Sequence, residues 1–458
     1  MAATGVGLFA KDDKANALYM QNCASCHGSN FEGGLGGNLA DGVWKHGGTD
    51  ADIARTISQG LPNLGMPTFG PALTPEQIRS LVVFIREKEK AAQTQSSPPP
   101  RPKDGGVVQS SEHAYKVEAV LDGGLKTPWS LAFLPDGRRL ITERTGALRV
   151  VEANGTLLPE PVKETPAVIE LGQGGMLDVA ISPDYATDGW IYLAFADPLG
   201  SDKPLAMLKI VRGRIRNHTW TDEEVIFQAA PEFYTSAGQH FGTRMVFDGG
   251  YLYFIVGERG GNMQAQDITR PNGKIYRVYP EGRIPEDNPF NPEKNAIPGI
   301  WTYGHRNPQG LAIDPRDHAI YSTEHGPRGG DEFNLIHRGA NYGWPVICYG
   351  MNYDGSPLTG LTEKEGMEQP LLHWTPSIAP CGLTCYTGNQ FPKWKYDFFA
   401  GALRGELHRI RVHNGQAITD EVLLSGIGRI RDVRTGPDGF LYIVLNQPDR
   451  IVRLIPAE

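Results

Sequence analysis

Cys23-Ala24-Ser25-Cys26-His27 sets two thiols three positions apart, with a histidine directly after the second. Cysteines at that spacing can add to the two vinyl groups of one haem, and the adjacent imidazole then reaches the iron as its proximal ligand. A redox dithiol would want a βαβ pattern around it, and zinc a second Cys/His pair at finger spacing. Neither stands nearby, so the stretch reads as covalent haem c attachment through Cys23 and Cys26, with His27 on the iron. Met66 lies in the loop Gly60-Leu61-Pro62-Asn63-Leu64-Gly65-Met66-Pro67. A methionine there is a poor core residue and a good soft axial ligand, and His/Met ligation raises a haem's potential. The competing reading is a gap-filler packed under the loop.

A second group of chemically capable residues lies far downstream, in five glycine-rich stretches: Gly172 to Asp178, Gly238 to Arg244, Trp301 to Gly310, Ser322 to Glu332 and Gly428 to Arg434. They carry Gln173, His240, Arg306, Arg429 and Arg431. Several arginines at one place demand an anionic guest, because planar guanidinium forks bind carboxylates in pairs. Glycines permit close backbone approach and expose carbonyls that suit a hard cation such as Ca²⁺. Taken singly, each stretch is equally well a surface charge beside a turn.

The elements around the haem motif are helical. Lys14 to Cys26 reads as a helix entering it, and Thr49 to Gln59 as a second, with Thr49 as N-cap, Asp52 at the capping-box position and Ile53 and Ile57 on one face. A third opens at Thr74-Pro75-Glu76-Gln77 with the buried stripe Ile78, Leu81, Val82 and Ile85. Residues 1–90 thus resemble a small class I cytochrome c domain. Residues 91–114, with Ser96-Ser97-Pro98-Pro99-Pro100, have no apolar periodicity and read as a stiffened linker. A flexible chain of that length spans about 27 Å, enough to carry the haem domain across one face of the downstream domain.

From Tyr115 to the end, short alternating strands replace the helical stripes. A unit of strand, Pro-Asp-Gly-type turn and strand recurs at 131–143, 178–193, 244–253, 310–322 and 432–444, with a weaker copy around 398–403. Six such units at blade spacing predict an all-β six-bladed β-propeller over 115–458. A β-sandwich would explain strands and turns but not the recurring turn formula. Loops ahead of the inner strands of successive blades converge on one channel mouth, which is what brings the five stretches together.

At 458 residues two or more domains are expected. The net charge is −8, and residues 1–90 carry 8 basic and 9 acidic side chains, so no strong field keeps the two domains apart. No Lys/Arg run suggests nucleic acid, and no apolar run has transmembrane length. Met1-Ala2-Ala3-Thr4 lacks the regions of a signal peptide, which reads as a mature form with an added start methionine; covalent haem points to the periplasm. Cys348, Cys381 and Cys385 stand outside the haem motif and allow at most one intrachain bridge.

The strings GHRNPQG, EHGPRGGDE, QHFGTR, NYGWP (Asn341 to Pro345) and RIRDVRTGPDG make residues 115–458 resemble the soluble pyrroloquinoline quinone (PQQ) dehydrogenases, specifically the aldose sugar dehydrogenases and their glucose-oxidising relatives. The resemblance implies PQQ held by Gln173, Gln239, Asn307, Ser377, Arg404, Arg429 and Arg431, with Arg306 also polarising the quinone oxygen. It implies a Ca²⁺ shared between PQQ and the Gly326 and Pro327 carbonyls, a second, structural Ca²⁺ on the backbone oxygens of Glu332 and Tyr342, and His240 as general base. Gln239 stands where the glucose-oxidising members carry Asp, so a carboxylate beside His240 is expected to be missing. Arg404 stands where they carry Lys. The resemblance also places Cys348 and Cys381 on the cofactor face, implying that they form the one disulfide. The expected reaction is oxidation of an aldose at C1 to its lactone, with electrons passed to the chain's own haem and on to a cytochrome, oxidase or electrode-like acceptor. Alternatives are another aldehyde or alcohol substrate, sorbosone-like, on the same scaffold, or a non-catalytic propeller with a haem relay. The eight-bladed quinohaemoprotein alcohol dehydrogenases carry their haem domain at the other end and more blades.

Overall fold

Local capping decides the helical domain. The computed structural model describes residues 13–103, 105–200, 204–291, 293 and 295–457. Helices α1 (Lys14–Asn22), α2 (Ala24–His27), α3 (Asp50–Gln59) and α4 (Pro75–Ser96) make up the N-terminal domain. Asp13 starts α1, its Oδ1 accepting from the backbone N–H groups of Ala15 and Asn16 at 3.0 and 3.1 Å. The single helix expected over Lys14–Cys26 breaks at Cys23, so the motif occupies its own turn, α2. Thr49 with Asp52 and Thr74 with Gln77 form reciprocal capping boxes at the starts of α3 and α4. Each cap contributes about 1 kcal/mol. Ile78, Leu81, Val82 and Ile85 of α4 are buried together with Tyr19, Phe31, Ile53 and Ile57.

The remainder is six antiparallel sheets whose inner strands, Pro128–Phe133, Met176–Ile181, Met245–Asp248, Pro308–Ile313, Pro380–Cys385 and Arg429–Thr435, follow one another around a ring. The weak repeat around 398–403 is a second strand, Phe398–Ala402, paired to the inner strand Pro380–Cys385. Ala114–Asp122 pairs with Arg450–Pro456, so the ring closes by hydrogen bonds between the beginning and end of the propeller chain. On the axis, Ser130 Oγ donates to Asp178 at 2.6 Å. Arg244 pairs with Asp178 at 3.0 Å and Arg434 with Asp432 and Asp178 at 2.9 Å. Buried Arg244 and half-buried Arg434 balance the two buried aspartates there and tie inner strands of four blades. Removing one partner of such a pair costs about 3–5 kcal/mol.

Two expectations about the linker change. α4 runs on to Ser96, six residues beyond the boundary at 90, because Glu87 to Gln95 contains no helix breaker. The proline segment after it lies against the propeller, where the Pro100 carbonyl accepts from Ser425 N–H at 2.7 Å. α4 itself lies across the propeller: Arg79 Nε donates to the Tyr349 carbonyl at 3.0 Å, Val83 faces Gly329 and Glu87 pairs with Arg328. Met351 of the propeller is fully buried in the haem-domain core.

Candidate active site and haem site

His240 sits in the loop before the inner strand Met245–Asp248, with a φ of +55°. Its carbonyl passes over Gly257, where a Cβ would come within 2.2 Å, so only glycine fits. That crossing sets Glu258 beside the imidazole. Glu258 is fully buried, and its Oε1 hydrogen-bonds to His240 Nδ1. An ionised carboxylate only accepts, so Nδ1 carries the proton and Nε2 keeps its lone pair. Burial holds His240 below the ordinary histidine range; Arg306 and Arg259 act in the same direction and Glu258 in the opposite one. The ring is therefore neutral at neutral pH and able to take a proton. The expected lack of a carboxylate beside His240 is corrected: Glu258 supplies it from the next strand end, while Gln239 is exposed, with its side chain over Gly260.

Gln173 Oε1 accepts the His240 backbone N–H at 2.9 Å, and Asn307 Oδ1 accepts from Gly242 at 3.1 Å, so both steady the His240 loop. Arg306 Nη1 donates to the carbonyls of His325 (3.1 Å) and Gly326 (2.6 Å), leaving a buried Nε without a partner. Burial, then Arg306, His240 and Arg431, push His325 down to about 3, so it too is neutral. Ser377 Oγ donates to the Pro327 carbonyl at 3.0 Å, and Arg404 Nη1 donates to the Ser377 carbonyl at 2.8 Å. Arg429 and Arg431 stand at the irregular start of the inner strand Arg429–Thr435, where burial and then the Arg431 charge hold Arg429 below its usual range, and a buried Nε of Arg431 is unpartnered. Among the described residues, Arg306, Arg404, Arg429 and Arg431 make no ion pair with a carboxylate. The channel arginines are neutralised by aspartates; these four are a positive rim lacking a counter-ion.

Glu332 and Tyr342 line one small pocket with Glu324, Arg306 and Gly326. Glu324, buried, and Glu332, half-buried, face each other across paired strands; desolvation pushes Glu324 up to about 7 and, with the Glu324 charge, holds Glu332 well above its usual range. Two such carboxylates together are a donor set that a hard cation would satisfy. Among the described residues no group of three or more His, Cys, Asp or Glu side chains is poised around one point. Backbone oxygens would have to complete a Ca²⁺ shell.

Cys23, Cys26 and His27 share the turn around α2. His27 Nδ1 bonds the Gly37 carbonyl at 2.8 Å, which fixes the ring and leaves Nε2 for a metal. A Cβ on Gly36 would lie 2.6 Å from that imidazole. Met66 is held by a two-way backbone bridge to Leu61, and Leu35 and Leu64, close in sequence to His27 and Met66, are 93% and 69% exposed. A haem between His27 and Met66 fits this donor set and would cover apolar surface.

The expected Cys348–Cys381 disulfide is not formed; all five cysteines are free. Cys348 packs with Ala265 and Trp344 and accepts from Gly350 N–H, while Cys381 Sγ lies 3.1 Å from the Arg431 carbonyl on an inner strand. The two thiols belong to different neighbourhoods, and Cys385 is a buried strand residue.

The Glucose / Sorbosone dehydrogenase family profile matches residues 125–453, all of the propeller but its closing strand Ala114–Asp122 and the last residues, and includes every residue of the positive rim. The chain belongs to that family. Residues 10–85 match the profile of cbb3-type cytochrome c oxidase subunit III, so the helical unit is a cytochrome c domain. The chain is 42% identical over 336 residues to the aldose sugar dehydrogenase YliI of Escherichia coli, covering 72% of this chain and 89% of that protein. The crystal structure of the E. coli soluble aldose sugar dehydrogenase in its apo form superimposes with a TM-score of 0.70 at 38% identity, over 75% of this chain and 100% of that one. A PQQ-bound aldose sugar dehydrogenase from Streptomyces coelicolor does so with a TM-score of 0.60 at 29% identity, over 74% of this chain and 98% of that one.

Glu258 is the functional residue that sequence reasoning missed. The signal was the Gly257-Glu258 step directly after the strand Tyr251–Val256, at the same end of the blade as His240.

Proposed function

We propose that this chain is a periplasmic quinohaemoprotein that oxidises aldose sugars at C1 to lactones and delivers the electrons to its own haem c. The observation that carries the reading is a neutral His240, oriented by buried Glu258, inside a rim of arginines without counter-ions. PQQ, a tricarboxylate, matches that rim in charge and when bound would supply the two-electron hydride acceptor, as haem c would supply the one-electron carrier.

Each residue then has a task. Arg404, Arg429 and Arg431 would hold the PQQ carboxylates, Gln173 and Asn307 keep the His240 loop in place, and Ser377 fastens the Pro327 carbonyl. Arg306, buried and with a free Nε, would stabilise the negative charge growing on the acceptor, in a setting where that charge counts most. His240 Nε2 accepts the proton of the sugar C1 hydroxyl, and Glu258 stabilises the imidazolium so formed. Gly326 and Pro327 carbonyls are the groups a cofactor-bound Ca²⁺ would use, and Glu332 and Tyr342, beside Glu324, those of a structural one. Reconstitution with PQQ and Ca²⁺ and a panel of sugars tests the reading. Lactone formation that depends on both additions is expected, and no turnover with any aldose would contradict it.

A further inference from the structure

The loop Gly326–Gly330 has two edges with different business. Its inner edge carries the Gly326 and Pro327 carbonyls, which accept from Arg306 and Ser377. Its outer edge is held by the haem domain. Arg328, 6% exposed, places Nη1 at 2.9 Å from Asp13 and clasps Glu87 with Nε and Nη2 at 2.9 and 2.7 Å. Both carboxylates belong to the helical domain: Asp13 is the cap of α1 and Glu87 lies on α4. The Arg328 backbone exchanges two hydrogen bonds with Met351, at 3.0 and 2.9 Å, and Met351 plugs the haem-domain core. Val83 of α4 packs on Gly329, where a Cβ would be 3.1 Å from its Cγ1. Gly329 and Gly330 N–H then donate to Ser377 Oγ and the Trp374 carbonyl, both at 2.9 Å. A rigid chain of contacts therefore runs from α4 through Arg328 to the carbonyls at the cofactor rim.

We propose that the haem domain is a structural wall of the cofactor site: its docking through Arg328 and Val83 holds the Gly326–Gly330 loop in its binding shape, so docking and cofactor binding strengthen each other. The coupling to cofactor rests on the proposed function, whereas the coupling to loop order does not. By linkage, whatever docking contributes to cofactor affinity, bound cofactor contributes to docking.

The test uses the full chain with haem. Asp13→Asn/Glu87→Gln neutralises the two carboxylates by which the helical domain holds Arg328, with little change of shape. Amide hydrogen exchange at Gly329 and Gly330, measured without PQQ, should accelerate by roughly tenfold or more, and the PQQ concentration giving half-saturation should rise by a similar factor. The haem spectrum should not change. Val83→Glu, which sets a carboxylate against Gly329, provides an independent way to lift the domain. Unchanged exchange at both amides in both variants would overturn the proposal. Faster exchange in a protein that binds no PQQ under any condition would uphold the coupling to loop order and sink the proposed function instead.

Discussion

His240 and Glu258, eighteen residues apart, share a hydrogen bond that fixes which imidazole nitrogen is free at the mouth of the propeller. The bond also sets a pH dependence. His240 titrates below the usual histidine range, and Glu258 is the group that raises it. Turnover requires the neutral ring, so kcat should rise with pH along an acid limb lying below about pH 6.5 and then level off. Glu258→Gln removes the raising partner, so that limb should move to lower pH while the plateau drops by about 10². His240→Ala should cut kcat by roughly 10²–10⁴ with PQQ still bound. An acid limb that moves upward in Glu258→Gln, read from pH–rate profiles, would exclude the dyad.

Met66 is held in a bridged Pro/Gly loop, and the His27 ring is oriented by the Gly37 carbonyl. Met66→Ala should lower the haem potential and open the sixth position to carbon monoxide. Ready carbon monoxide binding by the reduced unmodified protein would mean that Met66 is not a ligand.

With haem attached through Cys23 and Cys26, the three remaining cysteines are buried thiols. Denaturation without reductant followed by alkylation should therefore label Cys348, Cys381 and Cys385 in full. A peptide pair linked through any two of them would contradict the structure.

His408 is buried between Asp420, 2.7 Å from Nδ1, and Glu406, 3.5 Å from Nε2. Burial opposes its charge, but Asp420 and Glu406 prevail and raise its pKa to about 9. Its contribution, on the order of 3 kcal/mol, is complete below the unfolded value near pH 6.5 and is lost as pH rises through about 9. The melting temperature should fall across that window, and His408→Gln should be less stable at pH 6 yet flatter in pH. An equally steep fall in the variant would assign the effect to other groups.

What was legible in the sequence was local or repeated. The haem motif, both capping boxes and the α4 stripe need only a few residues each, and six copies of one turn formula announced the propeller. Glu258 was not legible because its neighbour is chosen by how one loop crosses Gly257, not by spacing along the chain. Arg328 was visible inside EHGPRGGDE, but nothing local says that its partners would be Asp13 and Glu87, 315 and 241 positions away. The Cys348–Cys381 expectation failed for the related reason that sharing a cofactor face does not bring two thiols into bonding distance. The linker was misjudged through its composition: the Pro100 carbonyl is bound to the propeller at Ser425.

The central claim is that electrons from sugar oxidation pass within one chain to its own haem. With α4 lying on the propeller, such a transfer would be unimolecular. Stopped-flow mixing of the loaded protein with an aldose, monitored at the haem absorbance over a wide range of protein concentration, tests this most directly. Intrachain transfer predicts a haem-reduction rate constant independent of protein concentration. A rate constant that rises in proportion to protein concentration would contradict it.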